Sequence, residues 1–333
     1  MKFILITALS STLVAAKTVA ISGATGRLGR VAVQKLSDRG VATRLLLRHE
    51  IANVAPSIDA DAPSAAVAAY LSTLPGVSVI RGDVTDAASV RNWLKGCTAC
   101  LALHGARRTR KLSDLLPWAD PTSDPTHSKN VNYEGVRNIL EAAKACGTSR
   151  VVRITGKGED PWSIFSILIN SLGSLAKAWN YEGECLLRAE TGVDYTIIRP
   201  GIMVAGMDVI PEGSALGLAD NGGSLKVSQV PHLAIADLAI ECLDCPNAAR
   251  TTLCAMAVPE EEGAATWGPL LAKVAPDSRQ FAPTLLADHL FAVRVGGTAL
   301  AALAAAVASA IVAGVLTALR AIVAGLAGVL AAR

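Results

Sequence analysis

Thirteen residues constrain this chain more than any others: Thr18-Val-Ala-Ile-Ser-Gly-Ala-Thr-Gly-Arg-Leu-Gly-Arg30. The apolar, β-branched run Val19–Ile21 predicts a buried strand that breaks at Gly23. Beyond Thr25 and Gly26, the spacing of Leu28, Val31, Val33 and Leu36 predicts a helix. Strand, glycine turn and helix start together make a phosphate cradle. Gly23 allows the tight turn, Gly26 lets the backbone approach a pyrophosphate, and Gly29 lets the helix pack closely on the strand. The helix start presents free N–H groups and a positive dipole end to the anion. The Thr25 hydroxyl is placed to cap one of those N–H groups, and Arg27 and Leu28 fall in the same turn. A glycine turn with no ligand is the alternative. The position of this turn, at the head of a train of strand–helix units, favours the nucleotide.

The 333 residues suit one large α/β domain with appendages, and about half of them are apolar, enough for a sizeable core. A net charge of +3 gives no argument for a nucleic-acid partner. Two of the cysteine pairings, Cys97-x-x-Cys100 and Cys242-x-x-Cys245, have metal or redox spacing. The first lies in an expected strand, where residues three apart face opposite sides. The second ends an expected helix, with no histidine pair beside it. Both are read as structural thiols, and no metal is expected.

Residues 1–16 open with Lys2, then apolar runs from Phe3 to Leu9 and on to Val14, ending in small residues at Ala16. This pattern predicts a signal peptide for the secretory route, with an uncleaved leading strand as the alternative. Residues 17–285 then form a nucleotide-binding domain with a small substrate lobe. The strand Val41–Leu47 ends at Arg48. An acidic residue near that position would bind the ribose hydroxyls of NAD, whereas an arginine suits the 2′-phosphate of NADP. Arg27 is a second candidate for that phosphate; solvated surface charge is the alternative for both. The strand Val77–Ile80 leads to Asp83 and Val84, and a fourth strand, Cys97–Leu103, ends at His104 and Gly105. Strand ends on this side line the crevice, so these residues are expected beside adenine and ribose, with a turn residue preceding the next helix as the alternative for Asp83. The polar loop 107–129, with a basic cluster at its start, reads as a substrate cover. An amphipathic helix follows over Val131–Cys146, stopped by Gly147, and the strand Val151–Thr155 delivers Thr155 to the crevice.

Four segments in this order and spacing resemble the atypical short-chain dehydrogenases/reductases, the group with NAD(P)-binding, epimerase-like domains. They are Gly-Ala-Thr-Gly-Arg-Leu-Gly-Arg at 23–30, Arg-Gly-Asp-Val at 81–84, Val-Asn-Tyr-Glu-Gly-Val-Arg-Asn-Ile-Leu-Glu-Ala-Ala at 131–143 and Asp-Tyr-Thr-Ile-Ile-Arg-Pro-Gly at 194–201. The resemblance spans about residues 18–275. It implies an α/β fold with a doubly wound parallel sheet (Rossmann-type), NADP(H) at the glycine motif and a substrate pocket built by the C-terminal third. Members with the full catalytic set pair a serine or threonine after the fifth strand with Tyr-x-x-x-Lys on the next helix. Thr155 fits the first role. Tyr181 lies in an expected helix, but Cys185 stands where the lysine should be, and Lys177 lies one turn before Tyr181 instead. The resemblance gives Tyr181 the proton-donor role, Lys177 the support of its phenolate and Thr155 the substrate oxygen, with purely structural roles as the alternative.

The C-terminal segment is a separate object. Residues 296–319 carry no charge, and the stretch 295–319 is expected as a transmembrane helix. Ten of the 24 residues from Gly296 to Leu319 are alanine, which weakens the lipid preference. Leu300, Leu303, Val307, Ile311 and Val315 form a stripe that also suits a partner helix. The expected function is an NADP(H)-dependent oxidoreductase acting at a membrane on a small or lipophilic carbonyl or sugar-like small-molecule substrate. The alternative is a non-catalytic NADP(H)-binding protein in redox sensing or assembly. The leader points to the secretory route, while an NADP site and an odd number of thiols suit a reducing space such as a plastid reached by that route. The oligomeric state is not legible.

Overall fold

A computed structural model of the chain describes residues 17–51, 54–59, 61–106, 123–204 and 209–331. The expected signal peptide and most of the basic loop lie outside the described residues. The chain divides into two compact units. The first takes Met1–Gly105, Glu134–Thr155 and Leu186–Arg279, and the second Ala106–Tyr133, Gly156–Cys185 and Gln280–Arg333.

The first unit is a Rossmann-like sheet with flanking helices. In chain order it runs β1 (Thr18–Ser22), α1 (Arg27–Asp38), β2 (Ala42–Leu47), α2 (Ser64–Leu71), β3 (Val77–Arg81), α3 (Ala87–Leu94), β4 (Ala99–Ala102), α4 (Gly135–Cys146) and β5 (Arg150–Ile154). Among the described residues the main sheet has eight strands in the order β3-β2-β1-β4-β5-β6-β10-β8. Here β6 is Asp194–Pro200, β8 Ser214–Ala219 and β10 Thr251–Pro259. β8 pairs antiparallel with β10, and the other pairings are parallel. Chain order reverses between β1 and β4, so the C-terminal ends of those two strands flank a topological switch point. Pairing of Ser22 with both Leu46 and Ala102 sets the ends of β1, β2 and β4 level.

The core follows from strand composition. Val19, Ile21, Leu45 and Leu101 are fully buried, as parallel strands covered on both faces require. Val33 and Leu36 of α1 meet Ile235 and Leu238 of α7 (His232–Glu241) in the same cluster. Asp86 caps α3 by accepting from the Ala88 and Ser89 amides.

Several boundaries differ from the sequence reading. β4 is shorter than expected, and Cys97 lies before it, buried. The helix expected from Val131 begins as a π-helical turn over Lys129–Glu134. The glycine-rich run 213–223 contains β8, which pairs antiparallel with β10 at the edge of the sheet. A short parallel pair, β7 (Ile202–Val204) with β9 (Gln229–Pro231), follows β6.

The second unit, unlike a contiguous C-terminal lobe, is assembled from three separate stretches. It holds α5 (Ile164–Leu172), most of α6 (Ala176–Ala189) and α9 (Leu286–Ala331); α8 (Gly268–Leu271) belongs to the first unit. α9 starts well before the uncharged segment. Val293 on its first turns packs with Leu175 and Ala178 in a small core of its own.

Candidate nucleotide-binding site

The glycine turn has the geometry its sequence implies. Gly23 sits at φ +71°, and a Cβ there would lie 2.7 Å from the Leu103 carbonyl and the His104 nitrogen. A side chain is therefore excluded by both backbone conformation and space. Gly29 faces back onto the turn: its Cβ would be 2.1 Å from the Gly23 oxygen. The turn is closed by the Gly26 amide donating to the Gly23 carbonyl at 3.0 Å. Gly26 is the N-cap of α1, no side chain caps that end, and the first turn holds no acid. The Thr25 hydroxyl thus does not make the expected cap, because the N-cap position falls one residue later, on Gly26. An uncapped helix start beside a close-packed glycine turn fits a phosphate group. Leu28 is buried in the core side of α1, while Gly26 and Arg27 are exposed.

The neighbouring strand ends complete the edge. Arg48 directly follows β2 and is exposed. Asp83 accepts from both the amide and the hydroxyl of Thr85 at 3.0 Å, which fixes the turn before α3. Val84 is buried, and its carbonyl accepts from Asn138 Nδ2 at 2.9 Å. His104 Nδ1 and Ser22 Oγ share a 2.7 Å hydrogen bond across the switch point, and Gly105 beside it is exposed. Gly135 at the start of α4 lies against Val84 and His104, so the structure brings these two together.

Three residues that the sequence reading passed over shape this edge. Arg30 donates to the carbonyls of Ile58 (3.2 Å), Asp59 and Thr25 (3.3 Å), tying residues 58–59 to the glycine turn. Arg153, fully buried on β5, donates to the carbonyls of Ala102 (3.0 Å) and His104 and so fixes the end of β4. His232, at the start of α7, bonds the Val204 carbonyl at 3.2 Å. Burial holds it below the usual imidazole range; the bond to Val204 opposes that shift and the Arg27 charge reinforces it. An arginine inside a predicted strand is the signal that could have marked Arg153.

The expected catalytic set is distributed otherwise. Thr155 follows β5 in the first unit, its amide donating to the Ile198 carbonyl at 2.9 Å. Tyr181 belongs to the second unit and is 1% exposed; its hydroxyl donates to the Ala282 carbonyl at 2.9 Å. Cys185, one turn on, directs its thiol to the same carbonyl at 3.5 Å. Lys177 Nζ donates to Ser166 Oγ at 3.0 Å. The enclosed phenol thus ties α6 to the backbone just before α9. Among the described residues no group of three or more His, Cys, Asp or Glu side chains could hold a metal ion. Burial pushes the thiols of Cys97, Cys100 and Cys242 up, holding them protonated. An open cavity of about 820 Å³ runs along α3 and α4, lined by Arg91, Lys95 and Cys146, and no residue of the glycine turn lines it.

The family model described as NAD(P)H-binding matches residues 23–246. The chain belongs to that family. Among curated proteins it is 26% identical over 239 residues to an uncharacterised chloroplastic protein of Arabidopsis thaliana, covering 68% of this chain and 64% of that one. It is 27% identical over 206 residues to sterol demethylase protein B of Methylococcus capsulatus, covering 58% and 54%. A shorter match, 28% over 116 residues, is to protein TIC 62, chloroplastic, of Arabidopsis thaliana, covering 35% and 18%. The chain thus spans less than two thirds of the length of each of these relatives. Among solved structures, a wide-type short-chain dehydrogenase/reductase from Veillonella parvula in complex with NADP superposes with TM-score 0.52 at 14% identity, covering 72% of this chain and 94% of that one. A protein from Bacillus halodurans described as an NAD-dependent epimerase/dehydratase gives TM-score 0.53 at 13% identity, covering 78% and 100%. The fold is that of the short-chain dehydrogenase/reductase and epimerase-like proteins.

Proposed function

We propose that this is an NADP(H)-binding protein of the atypical short-chain dehydrogenase/reductase type, working at a membrane in redox sensing or assembly. The observation that supports the reading is the close-packed glycine turn at the uncapped start of α1, together with a Tyr181 hydroxyl that is buried and bonded to the Ala282 carbonyl. Gly23 and Gly29 exclude any side chain from the turn, leaving the uncapped start of α1 for the pyrophosphate. Arg48 and Arg27 supply cations at the 2′-phosphate end, while Asp83, Val84, His104 and Gly105 border adenine and ribose. When bound, NADPH carries a hydride equivalent. The chain's own contribution is to orient the cofactor along the strand ends.

The second reading is an NADP(H)-dependent oxidoreductase acting on a small or lipophilic carbonyl or sugar-like substrate. Thr155, at the end of β5 beside the switch-point strands, supports it, since a hydroxyl there can hold a substrate oxygen. Membrane association rests on α9, whose stretch Leu286–Arg320 is long and apolar enough to cross a bilayer by length and composition. The chloroplastic relatives make a plastid membrane, reached by the secretory route, our proposed location.

Calorimetry tests the cofactor. NADP should bind more tightly than NAD, and Arg48→Glu should lower NADP affinity at least about tenfold, since a charge-assisted contact contributes ~1.5–3 kcal/mol. Equal affinity for NAD and NADP in the unaltered chain overturns the preference. Substrate-dependent NADPH consumption that survives purification would instead favour the oxidoreductase.

A further inference from the structure

α5 is an inside-out helix. It buries Ser166 and Asn170, the latter 0% exposed, with Ile167 between them, and turns Ile164, Phe165, Leu168 and Leu172 outward, with Phe165 63% exposed. A surface helix that faces water arranges these residues the other way. The buried polar groups are well used. Asn170 Oδ1 accepts from the Lys177 and Ala178 amides at 3.0 and 3.1 Å, and its Nδ2 donates to His289 Nδ1 at 3.0 Å. His289 Nε2 donates in turn to the Gly158 carbonyl at 2.7 Å. The polarity of α5 is therefore fixed by this network, and among the described residues its outer face stays exposed.

That face is continuous with the root of α9. Gly296 lies so close to Ile167 of α5 that a Cβ would approach its Cδ1 to 2.6 Å. Trp162, just before α5, packs edge-on against Phe291 of α9, with ring centroids 5.8 Å apart, and both rings are more than half exposed. Residues 162–176 carry no charge, while Arg294 at the α9 root is exposed. Beyond Gly296, Leu303, Val307, Ile311 and Val315 are all exposed along the helix.

We propose that the outer face of α5 is a membrane-contact surface: it lies along the lipid boundary beside the point where α9 enters. Ile164, Phe165, Leu168 and Leu172 face the acyl chains, and the Trp162–Phe291 pair sits at headgroup level. Tryptophan favours that depth because its indole joins an apolar ring to a polar N–H. A short apolar face gains little from lipid alone, so α5 acts as the second contact of a helix that already enters the bilayer. The inference rests on the membrane reading of α9 and deepens it.

The test uses the full chain in phosphatidylcholine vesicles, with lipids brominated either near the headgroup or near the acyl end as quenchers of tryptophan fluorescence. Subtracting Trp162→Phe from the unaltered chain isolates Trp162. Shallow bromine should quench that difference signal and deep bromine should not. Phe165→Asn with Leu168→Asn, both on the exposed face, should abolish the quenching while the chain still resists carbonate extraction and keeps its circular dichroism. Carbonate resistance with no Trp162 quenching overturns the α5 proposal alone. A chain that carbonate releases overturns both it and the reading of α9. Concentration-dependent dimers dispersed by the double substitution overturn it in favour of a second copy of this chain.

Discussion

The glycine cradle and the buried network of the second unit hold their shapes by opposite means. At the cradle the determining feature is the absence of side chains: Gly23 and Gly29 leave room for two stretches of backbone to touch. In the second unit the determinants are side chains themselves, Asn170, His289 and Tyr181, each hydrogen-bonded to a backbone group elsewhere in the unit. The first arrangement tolerates no added atom, and the second no removed one. Function and stability should therefore separate between them.

The strongest way to break this contrast is Gly29→Val. A Cβ 2.1 Å from the Gly23 oxygen forces the helix start away from the turn, so NADP affinity should fall at least about a hundredfold, equivalent to ~2.7 kcal/mol. Calorimetry beside circular dichroism separates lost binding from lost fold. Asn170→Ala should do the reverse. It leaves two amides and a ring nitrogen of His289 unpartnered, costing ~1–3 kcal/mol in the second unit. Faster hydrogen exchange at the first turns of α9, with NADP affinity unchanged, is the expected result.

Tyr181→Phe sharpens the comparison at its most contested residue. As a structural tie, the hydroxyl contributes ~0.5–1.5 kcal/mol to stability, and its removal leaves cofactor affinity and any turnover unaltered. A loss of turnover near ~10²-fold would restore the proton-donor role.

The smallest effect lies at His232. Its folded pKa is depressed, chiefly by burial, so the unfolded chain takes up a proton first as pH falls. Its contribution to stability is complete above the unfolded value, about 6.5, and is lost as pH drops through the folded one. His232→Asn should flatten the acid limb of a Tm-against-pH curve.

The same contrast governs what the sequence made legible. Gly23, Gly26 and Gly29 announce a site because glycine is the residue that backbone contact requires, and its spacing survives in one dimension. The parallel strands were legible as short apolar runs for a similar reason. Arg153 and Asn170 were not, because each serves partners far away in the chain: 51 residues for Arg153 to Ala102 and 119 for Asn170 to His289. α5 was missed because its polarity is inverted, and a pattern read against water gives the wrong face. Tyr181 was found by its place on a helix, but helical position does not specify the direction of its hydroxyl.

The split of the second unit into three stretches has a consequence for how the chain is made. Its clasp joins His289 to Gly158, 131 residues earlier, so the ring is synthesised long after the segment that it ties down. The strands of the sheet unit can pair while that residue is still unmade. Closure across so long a loop is slow and comes late. The root of α9 thus serves two masters, completing a fold on one side and starting an apolar helix on the other. Removing the apolar helix by cutting before Leu286 also removes the clasp. A shortened chain meant to stay folded should keep its residues through Gly297, past Val293 in the small core and the close approach of Gly296 to Ile167.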